Sequence, residues 1–170
     1  MKATAALYKE AGYNVIGTSL SALAAENLGN ETSITSKTIA SWLSSWDRLA
    51  EAEEKFLAFD AVVNEGFLKQ LDWYNDLVRL KDMKLTAKSV LIVDEAGMIG
   101  TESWNRLLTH ATKAGAKVIA VGDDHQYKAI EAGDFFREMT DKAAQQNRLF
   151  TLTTIWRQRV DWMRQAVWLN

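Results

Sequence analysis

The sequence predicts an α/β domain in which helices cover both faces of a parallel sheet. Short apolar runs of strand length, at residues 13–18, 89–93 and 117–121, alternate with longer segments of helical period. Strands that are buried on both faces read as continuous apolar runs rather than as alternating ones. Two of the runs end directly in acidic residues, which is a common arrangement at the carboxyl edge of such a sheet.

Length and composition limit the classes of protein and site to which the chain can belong. At 170 residues the chain is one compact domain or a fragment of a larger one, and its 48% hydrophobic and 25% charged residues are typical of a globular protein. A formal net charge of −2 excludes a basic field over the whole chain. The absence of cysteine and the presence of only two histidines exclude thiolate zinc and make a histidine-rich metal site untenable. No leader-like N-terminus or long apolar run appears, so we expect a cytoplasmic protein.

Three elements are predicted in the first 30 residues. They are a helix over residues 2–11, a strand over residues 13–18 and a helix over residues 19–28. Gly12 is a plausible stop for the first helix, and Ser19 can cap the second through its hydroxyl. Gly29-Asn30 marks the expected end of the second helix. With no proline in the chain, turns must depend on Gly, Asn and Asp.

A long helical stretch is predicted next. A helix opening at Thr35 or Ser36 places Trp42 and Trp46 on one apolar face, which favours packing in the core over stacking on nucleic acid bases. From residue 48 to residue 84 apolar residues recur every three or four positions, with Gly66 as the expected division. This segment is predicted to be a helical insertion that packs outside the sheet.

The last elements follow the strand and helix alternation. The prediction is a strand at Ser89–Val93, a helix over 102–114 stopped by Gly115, a strand over 117–121, a helix over 134–145, a strand over 149–153 and a final helix from Val160. Because parallel strands end at the same edge, the ends of the strands at 89–93 and 117–121 should bring Asp94 and Asp123 together.

The acids at these strand ends are the first candidates for chemistry. VLIVDEAGM places Asp94 and Glu95 after a strand, and KVIAVGDDHQ does the same with Asp123 and then Gln126. In a phosphoryl-transfer site the first acid would hold Mg²⁺ and the second would orient or deprotonate the attacking water. The alternative is that Asp94 and Glu95 merely cap the following helix. The second acid-bearing turn favours the functional interpretation. His110 and His125 carry no predicted catalytic role, and His110 is expected to be a solvated surface histidine.

These motifs resemble the RecD-like superfamily 1 DNA helicases, and within them the motor region of conjugative relaxases of the TraA type. VLIVDEAGM is similar to that family's Walker B motif, and GDDHQ at residues 122–126 to its motif coupling nucleotide to DNA. LTTIWRQRVDWMRQA at residues 152–166 is similar to a later motif. GTSLSALAAENL at residues 17–28 and TIASWL at residues 38–43 resemble DNA-contacting motifs. The resemblance spans nearly the whole chain and implies a three-layer RecA-like P-loop NTPase core with a parallel sheet.

The resemblance also implies ligands and residue roles. The intact parent would bind ATP and Mg²⁺, with Asp94 at the metal and Glu95 at the attacking water. Gly122 and Asp123 would belong to the nucleotide-contacting turn, Gln126 would sense the γ-phosphate, and Arg157 would stabilise charge in the transition state. Single-stranded DNA would contact the following four residues: Thr18, Ser19, Ser21 and Thr38.

Two departures from the family pattern are visible in the sequence. None of the nine glycines belongs to a phosphate loop of the form GxxxxGK followed by Ser or Thr. Met1 falls just past the expected place of this loop, so the strand that normally precedes the loop is missing as well. Asp124 stands where the family often has proline. The chain also stops before a second RecA-like domain, so residues 1–170 are expected to be a partial helicase motor with its insertion at 48–84. Two origins are consistent with this sequence. One is an open reading frame that restarts at Met1 inside a decayed relaxase gene, and the other is a piece cut from a longer protein.

Three functions follow as hypotheses. The first is a fragment of an ATP-driven DNA helicase or translocase, with the isolated chain catalytically inactive. The second is a non-enzymatic remnant or accessory module that binds a partner chain or DNA. The third, a metal-dependent hydrolase, ranks last because further ligands are missing. The lost first strand would lie between the strands at 117–121 and 149–153, so we expect self-association or a shift of the latter strand.

Overall fold

The structure is a computed structural model that describes residues 1–59, 65–123 and 135–151. The helices are α1 Lys2–Glu10, α2 Ala22–Thr32, α3 Ile39–Leu57, α4 Glu65–Leu68, α5 Asp72–Leu80, α6 Thr101–Ala114 and α7 Phe135–Gln145. The strands are β1 Asn14–Ser19, β2 Thr35–Thr38, β3 Ser89–Val93 and β4 Lys117–Ala120. Two short 3-10 turns lie at Lys81–Met83 and Ala96–Met98.

All four strands run parallel in one sheet, in the order β2-β1-β3-β4. Ile16 pairs with Leu91, and Leu91 pairs with Val118, so the central strands are in register from end to end. Every residue of β3 is buried. The predicted adjacency of β3 and β4 is confirmed, and Asp94 and Asp123 follow neighbouring strands at the carboxyl edge of the sheet.

Helices cover both faces of this sheet. On one face β1 and β3 pack with α1 and α2 through this buried cluster: Ala5, Val15, Leu28, Ile34, Val90 and Ile92. Successive strand side chains point to opposite faces, so Leu91 and Val93 face the other side, where α3 contacts β1 and α6 contacts β4. This architecture is a parallel α/β fold consistent with a RecA-like P-loop core, as the sequence predicted.

Three predictions before residue 40 are wrong. Ser19 does not cap the second helix, because it is the last residue of β1 and α2 begins at Ala22 with Ser21 as its N-cap. Residues 35–38 form strand β2 instead of opening a helix, because they pair with β1, and α3 begins only at Ile39 with the Thr38 hydroxyl accepting from the Ser41 amide at 3.2 Å. Helix α2 also continues past Gly29 to Thr32. Gly29 is needed for close packing, since a Cβ there would lie 3.2 Å from the carbonyl oxygen of Ile34.

The helical character of residues 48–84 is confirmed for the described part of that segment. α3 runs without a break from Ile39 into the insertion and packs against α5. Arg48 bridges the two helices through an ion pair of 2.5 Å with Asp76. Gly66 lies inside α4, and the chain turns at residues 69–71, so the predicted division at Gly66 is displaced. Trp42 and Trp46 are buried in the core, as predicted, and the structure shows in addition that their rings stack on each other.

The C-terminal part of the chain agrees with the prediction from sequence only in places. α6 ends at Gly115, which has φ 67°, and α7 lies close to the predicted helix. Residues 149–151 are not a strand, and the rest of that predicted strand and the final helix lie outside the described residues. The chain divides into two units, Met1–Arg137 and Glu138–Asn170. Within the described residues no helix is long and apolar enough to cross a membrane.

Candidate functional site at the carboxyl edge

Backbone hydrogen bonds join the ends of three strands at the carboxyl edge of the sheet. The Asp94 amide donates to the carbonyl of Thr18 at 2.9 Å, which ties the end of β3 to β1. The Val121 amide donates to Val93 at 2.8 Å, and the Ala96 amide donates to Val121 at 2.9 Å. The sequence segments DEAGM and GDD are therefore held side by side. We call Ser19, Asp94, Glu95, Gly122 and Asp123 the acidic edge.

Glu95 has the most constrained backbone of the acidic edge. Its φ of 53° lies in the left-handed region, which a residue with a Cβ enters at a cost of about 1–2 kcal/mol. The Ser19 hydroxyl donates to Glu95 Oε2 at 3.2 Å, and Ser19 itself is fully buried. Strained residues of this kind are concentrated at functional sites. The fold thus holds an exposed carboxylate in a defined position beside the end of β1.

Asp94 is half-buried, and its charge is disfavoured by its surroundings. Burial raises the pKa of the Asp94 carboxyl above its ordinary value, and the nearby charges of Glu95 and Glu31 act in the same direction. The Glu95 amide opposes this by donating to Asp94 Oδ1 at 3.0 Å. A carboxylate in this condition gains from a cation placed beside it.

Helix capping does not explain either acid. Residues 96–98 form a 3-10 turn, and α6 begins at Thr101 with Gly100 as its N-cap and no side-chain cap bond. Asp94 and Glu95 thus stand several residues before the helix that the capping hypothesis assigned to them. Glu95 takes the N-cap position of the 3-10 turn, but its side chain makes no capping hydrogen bond there, so the structure does not support the capping alternative.

Two glycines allow the two turns of the acidic edge to touch. A Cβ on Gly122 would lie 2.9 Å from the Gly97 nitrogen and 3.0 Å from the Ala96 nitrogen. A Cβ on Gly97 would lie 2.8 Å from the Asp123 carbonyl oxygen. All three of these neighbouring atoms belong to the backbone, so a side-chain rotation cannot relieve the overlap. Gly122, which the family resemblance placed in the nucleotide turn, is here a requirement of packing.

The predicted DNA-contacting residues differ in exposure. Thr18 and Ser19 are fully buried, whereas Ser21 is exposed and its hydroxyl caps α2 by accepting from the Ala24 amide at 3.1 Å. Thr38 is half-buried and caps α3. The Thr18 hydroxyl has no hydrogen-bond partner among the described residues. Gln126, Arg157 and His125 lie outside the described residues.

A cleft of about 430 Å³ lies beside the edge strand β2. It is lined by small residues of α2 and by polar side chains of β2 and α3. Ser36 lines it with a buried hydroxyl that has no partner among the described residues. The sequence pattern does not predict this cleft, because it places the residues of β2 at the start of a helix.

Sequence reasoning also missed two side-chain contacts. Trp104 is fully buried and its indole donates to the Ala96 carbonyl at 3.3 Å, which connects α6 to the turn after Glu95. His110 lies at the surface but is half-buried rather than fully solvated. Its Nε2 lies 2.9 Å from Asp47 Oδ1, and its ring packs on Trp46.

Asp47 joins α3 to α6 through two partners. Its carboxylate binds His110 and, at 2.5 Å, the guanidinium of Arg106. Burial alone would raise the pKa of Asp47, but the hydrogen bonds from His110 and Arg106 hold it below its ordinary value. Helix α3 is therefore connected to α6, the helix that follows the acidic edge.

The acidic edge fits a magnesium ion better than it fits a nucleotide. Asp94, Glu95 and Ser19 offer only oxygen donors, which Mg²⁺ prefers, and Mg²⁺ commonly takes one or two carboxylates together with substrate phosphates. Within the described residues no cluster of three or more acidic or imidazole groups forms a complete protein cage. The sequence has no GxxxxGK loop, whose backbone amides and lysine are the main phosphate donors of P-loop proteins.

Comparison with known proteins gives the class of the chain. Residues 1–169 match the AAA domain family, a class of P-loop nucleotide-binding domains, and the chain belongs to that family. The match covers both the sheet and the acidic edge.

Individual relatives narrow the comparison. The chain is 36% identical over 166 residues to the probable conjugal transfer protein TraA of Sinorhizobium fredii, a stretch covering 98% of this chain. It is 35% identical to the conjugal transfer protein TraA of Rhizobium radiobacter and 32% identical to that of Agrobacterium fabrum, again over 98% of the chain. In each case the chain spans 12% of the relative's length. These relatives support the predicted resemblance to a region of TraA-type proteins.

Proposed function

We propose that this chain is part of an ATP-dependent DNA helicase or translocase of the conjugative relaxase type. The observation that carries the proposal is the acidic edge, where Asp94 and Glu95 follow the fully buried strand β3 at the junction of three parallel strands. Ligands of open parallel sheets bind beyond this edge. The family match and the TraA relatives support the same class of activity.

Each acid has a distinct role in this proposal. Asp94 would hold Mg²⁺, because its half-buried carboxylate gains from a compensating cation. Mg²⁺ would neutralise charge on the transferring phosphoryl group. Glu95, held by Ser19, orients the attacking water. Gly122 and Asp123 line the neighbouring turn, and the resemblance alone supports Gln126 and Arg157 as contacts to the γ-phosphate.

Single-stranded DNA is the proposed polymer substrate of the intact parent. The N-termini of α2 and α3, capped by Ser21 and Thr38, follow β1 and β2 at the same edge as the acids. Backbone amides at helix N-termini suit phosphate oxygens. Thr18 and Ser19, being buried, would support the DNA-contacting loop rather than contact DNA themselves. A cytoplasmic location accords with this function.

The isolated chain is proposed to be inactive. Without a GxxxxGK loop the β- and γ-phosphates lack their main donors, and each charge-assisted hydrogen bond contributes about 1.5–3 kcal/mol. At about 1.4 kcal/mol per tenfold, losing two such bonds weakens nucleotide binding by about 100-fold or more. Partner chains or further domains would have to supply these groups.

Binding of Mn²⁺, a paramagnetic substitute for Mg²⁺, tests the site itself. Free Mn²⁺ is measured by electron paramagnetic resonance during titration into the chain, into Asp94→Asn and into the control Asp82→Asn, which changes an exposed acid of the insertion. We expect Asp94→Asn to weaken binding about tenfold or more, equivalent to about 1.4 kcal/mol, and Asp82→Asn to leave it unchanged. Equal affinity in all three proteins would refute the metal role of Asp94.

The second candidate is a non-enzymatic module that binds a partner chain or DNA. The observation that favours it is β4, which pairs only with β3 within the described part of the chain. An open strand edge presents unpaired amides and carbonyls to another chain. Light scattering distinguishes the candidates, since self-association that grows with concentration favours the module and a monodisperse monomer at high concentration counts against it.

A further inference from the structure

Three strands begin beside one another at the edge of the sheet opposite the acids. The register pairs Asn14 with Ser89 and Val90 with Lys117, so the residues at the starts of β1, β3 and β4 are neighbours. Tyr13 precedes β1, Lys88 precedes β3, and Lys117 opens β4. We call Tyr13, Lys88 and Lys117 the basic start edge.

The two lysines are held over the same aromatic ring. Lys88 Nζ lies 4.9 Å from the centre of the Tyr13 ring, and Lys117 Nζ lies 5.6 Å from it. The ring is fixed in turn, because Tyr13 is half-buried against the core and meets Tyr8 edge to face at 5.5 Å between ring centres. Cation–π attraction explains why each ammonium group stays near the ring. This arrangement leaves the two ammonium groups exposed and close together.

No carboxylate neutralises this pair within the described residues. Ion pairs seen among the described residues involve basic side chains of residues 48–84 and of α6, among them Arg48, Lys55, Arg79, Lys84 and Arg106. Lys88 and Lys117 are exposed and form no ion pair in the described chain. Neither lies in the last turn of a helix, so compensation of a helix dipole does not account for them.

The geometry points to an anionic polymer as the partner of this edge, and we propose single-stranded nucleic acid, bound through its phosphates at Lys88 and Lys117. Lysines interleaved with an aromatic side chain are the combination that single-strand surfaces use. An acidic peptide would also satisfy the charges, and competition by polyglutamate tests that alternative. This surface lies at the opposite edge from Ser21 and Thr38, so it is separate from the DNA contacts proposed above.

Salt dependence of binding tests the proposal. A fluorescent oligothymidylate is titrated with the chain and followed by anisotropy at several salt concentrations. Each phosphate contact to a single strand contributes about 0.7 to the slope of log affinity against log salt, so Lys88→Gln with Lys117→Gln should reduce the slope by about 1.4. As salt rises from about 50 to 200 mM, the ratio of parental affinity to variant affinity should therefore fall about sevenfold.

A matched control separates the site from general charge. Lys81→Gln with Lys142→Gln removes the same charge from exposed lysines that have no ion pair in the described chain. The proposal predicts the parental slope for this control and a reduced slope for the Lys88 and Lys117 variant. Equal slopes in the two variants would overturn it, and so would displacement of the oligonucleotide by polyglutamate at a comparable charge concentration. Because the Mn²⁺ titration contains no DNA, either failure leaves the metal assignment of Asp94 untouched.

Discussion

Replacing Gly122 with alanine should disrupt the acidic edge, because the added methyl group meets the backbone of the neighbouring turn. The added Cβ would lie 2.9 Å from the Gly97 nitrogen and 3.0 Å from the Ala96 nitrogen. Both are backbone atoms of the turn after Glu95, so the two turns must move apart. The same movement lengthens the hydrogen bond of 2.9 Å from the Ala96 amide to Val121.

The magnitude follows from these two contacts. Overpacking of a close-packed site costs about 1–3 kcal/mol, and a weakened backbone hydrogen bond adds about 0.5–1.5 kcal/mol. We therefore expect the free energy of unfolding to fall by about 2–4 kcal/mol. For a chain of this size each kcal/mol lowers Tm by about 2–4 °C, so Gly122→Ala should melt about 4–16 °C below the parent.

Calorimetry gives Tm, and the indole N–H resonance of Trp104 reports on the site because it is bonded to the Ala96 carbonyl. Gly12→Ala is the control, since Gly12 has φ 78° and no heavy atom within 4 Å of a built Cβ. It should lose about 1–2 kcal/mol through backbone strain and leave the Trp104 resonance in place. Parental stability and an unmoved Trp104 resonance in Gly122→Ala would refute the packing argument.

Three further substitutions have defined signs. Thr18→Val should raise the free energy of unfolding by about 1 kcal/mol in denaturant titrations, because it removes a buried, unpartnered hydroxyl; a loss would mean that the hydroxyl has a partner. Asp47→Asn should lower that free energy at neutral pH by only about 1 kcal/mol, since its pairs with Arg106 and His110 are solvent-exposed. The lowered pKa of Asp47 makes this deficit fade as pH falls below 3.8, and a deficit independent of pH would contradict the assignment. Burial raises the pKa of Asp94, so its charge opposes folding above 3.8; Asp94→Asn should raise Tm at neutral pH but not below that value, and a lower Tm at neutral pH would contradict it.

The parts of the fold that could be predicted are those fixed by local pattern. β3 is buried on both faces, and its unbroken apolar run predicted it at the same boundaries. β2 was missed because TSKT is polar, and only pairing with β1 makes it a strand. The prediction that α2 ends at Gly29 fails for a similar reason. The small size of Gly29 allows close contact with residues 34 and 36 and does not mark the end of the helix.

The same distinction holds for the candidate site. Asp94 and Glu95 could be found because they directly follow a strand, and the topology then placed them beside β4 as predicted. The bond from Ser19 to Glu95 joins residues 76 positions apart, and the contact of His110 with Asp47 joins residues 63 positions apart. No periodicity predicts such contacts, since they depend on how the helices lie over the sheet.

Phosphate release from Mg-ATP tests the central claim most directly, namely that Asp94 and Glu95 belong to a hydrolytic site whose phosphate donors this chain lacks. Release is measured for the purified chain and for Glu95→Ala, with and without single-stranded DNA. The account predicts background release in every case, because neither protein can hold the β- and γ-phosphates. Release above background by the chain that Glu95→Ala abolishes would contradict it and would show that residues other than a GxxxxGK loop bind the nucleotide.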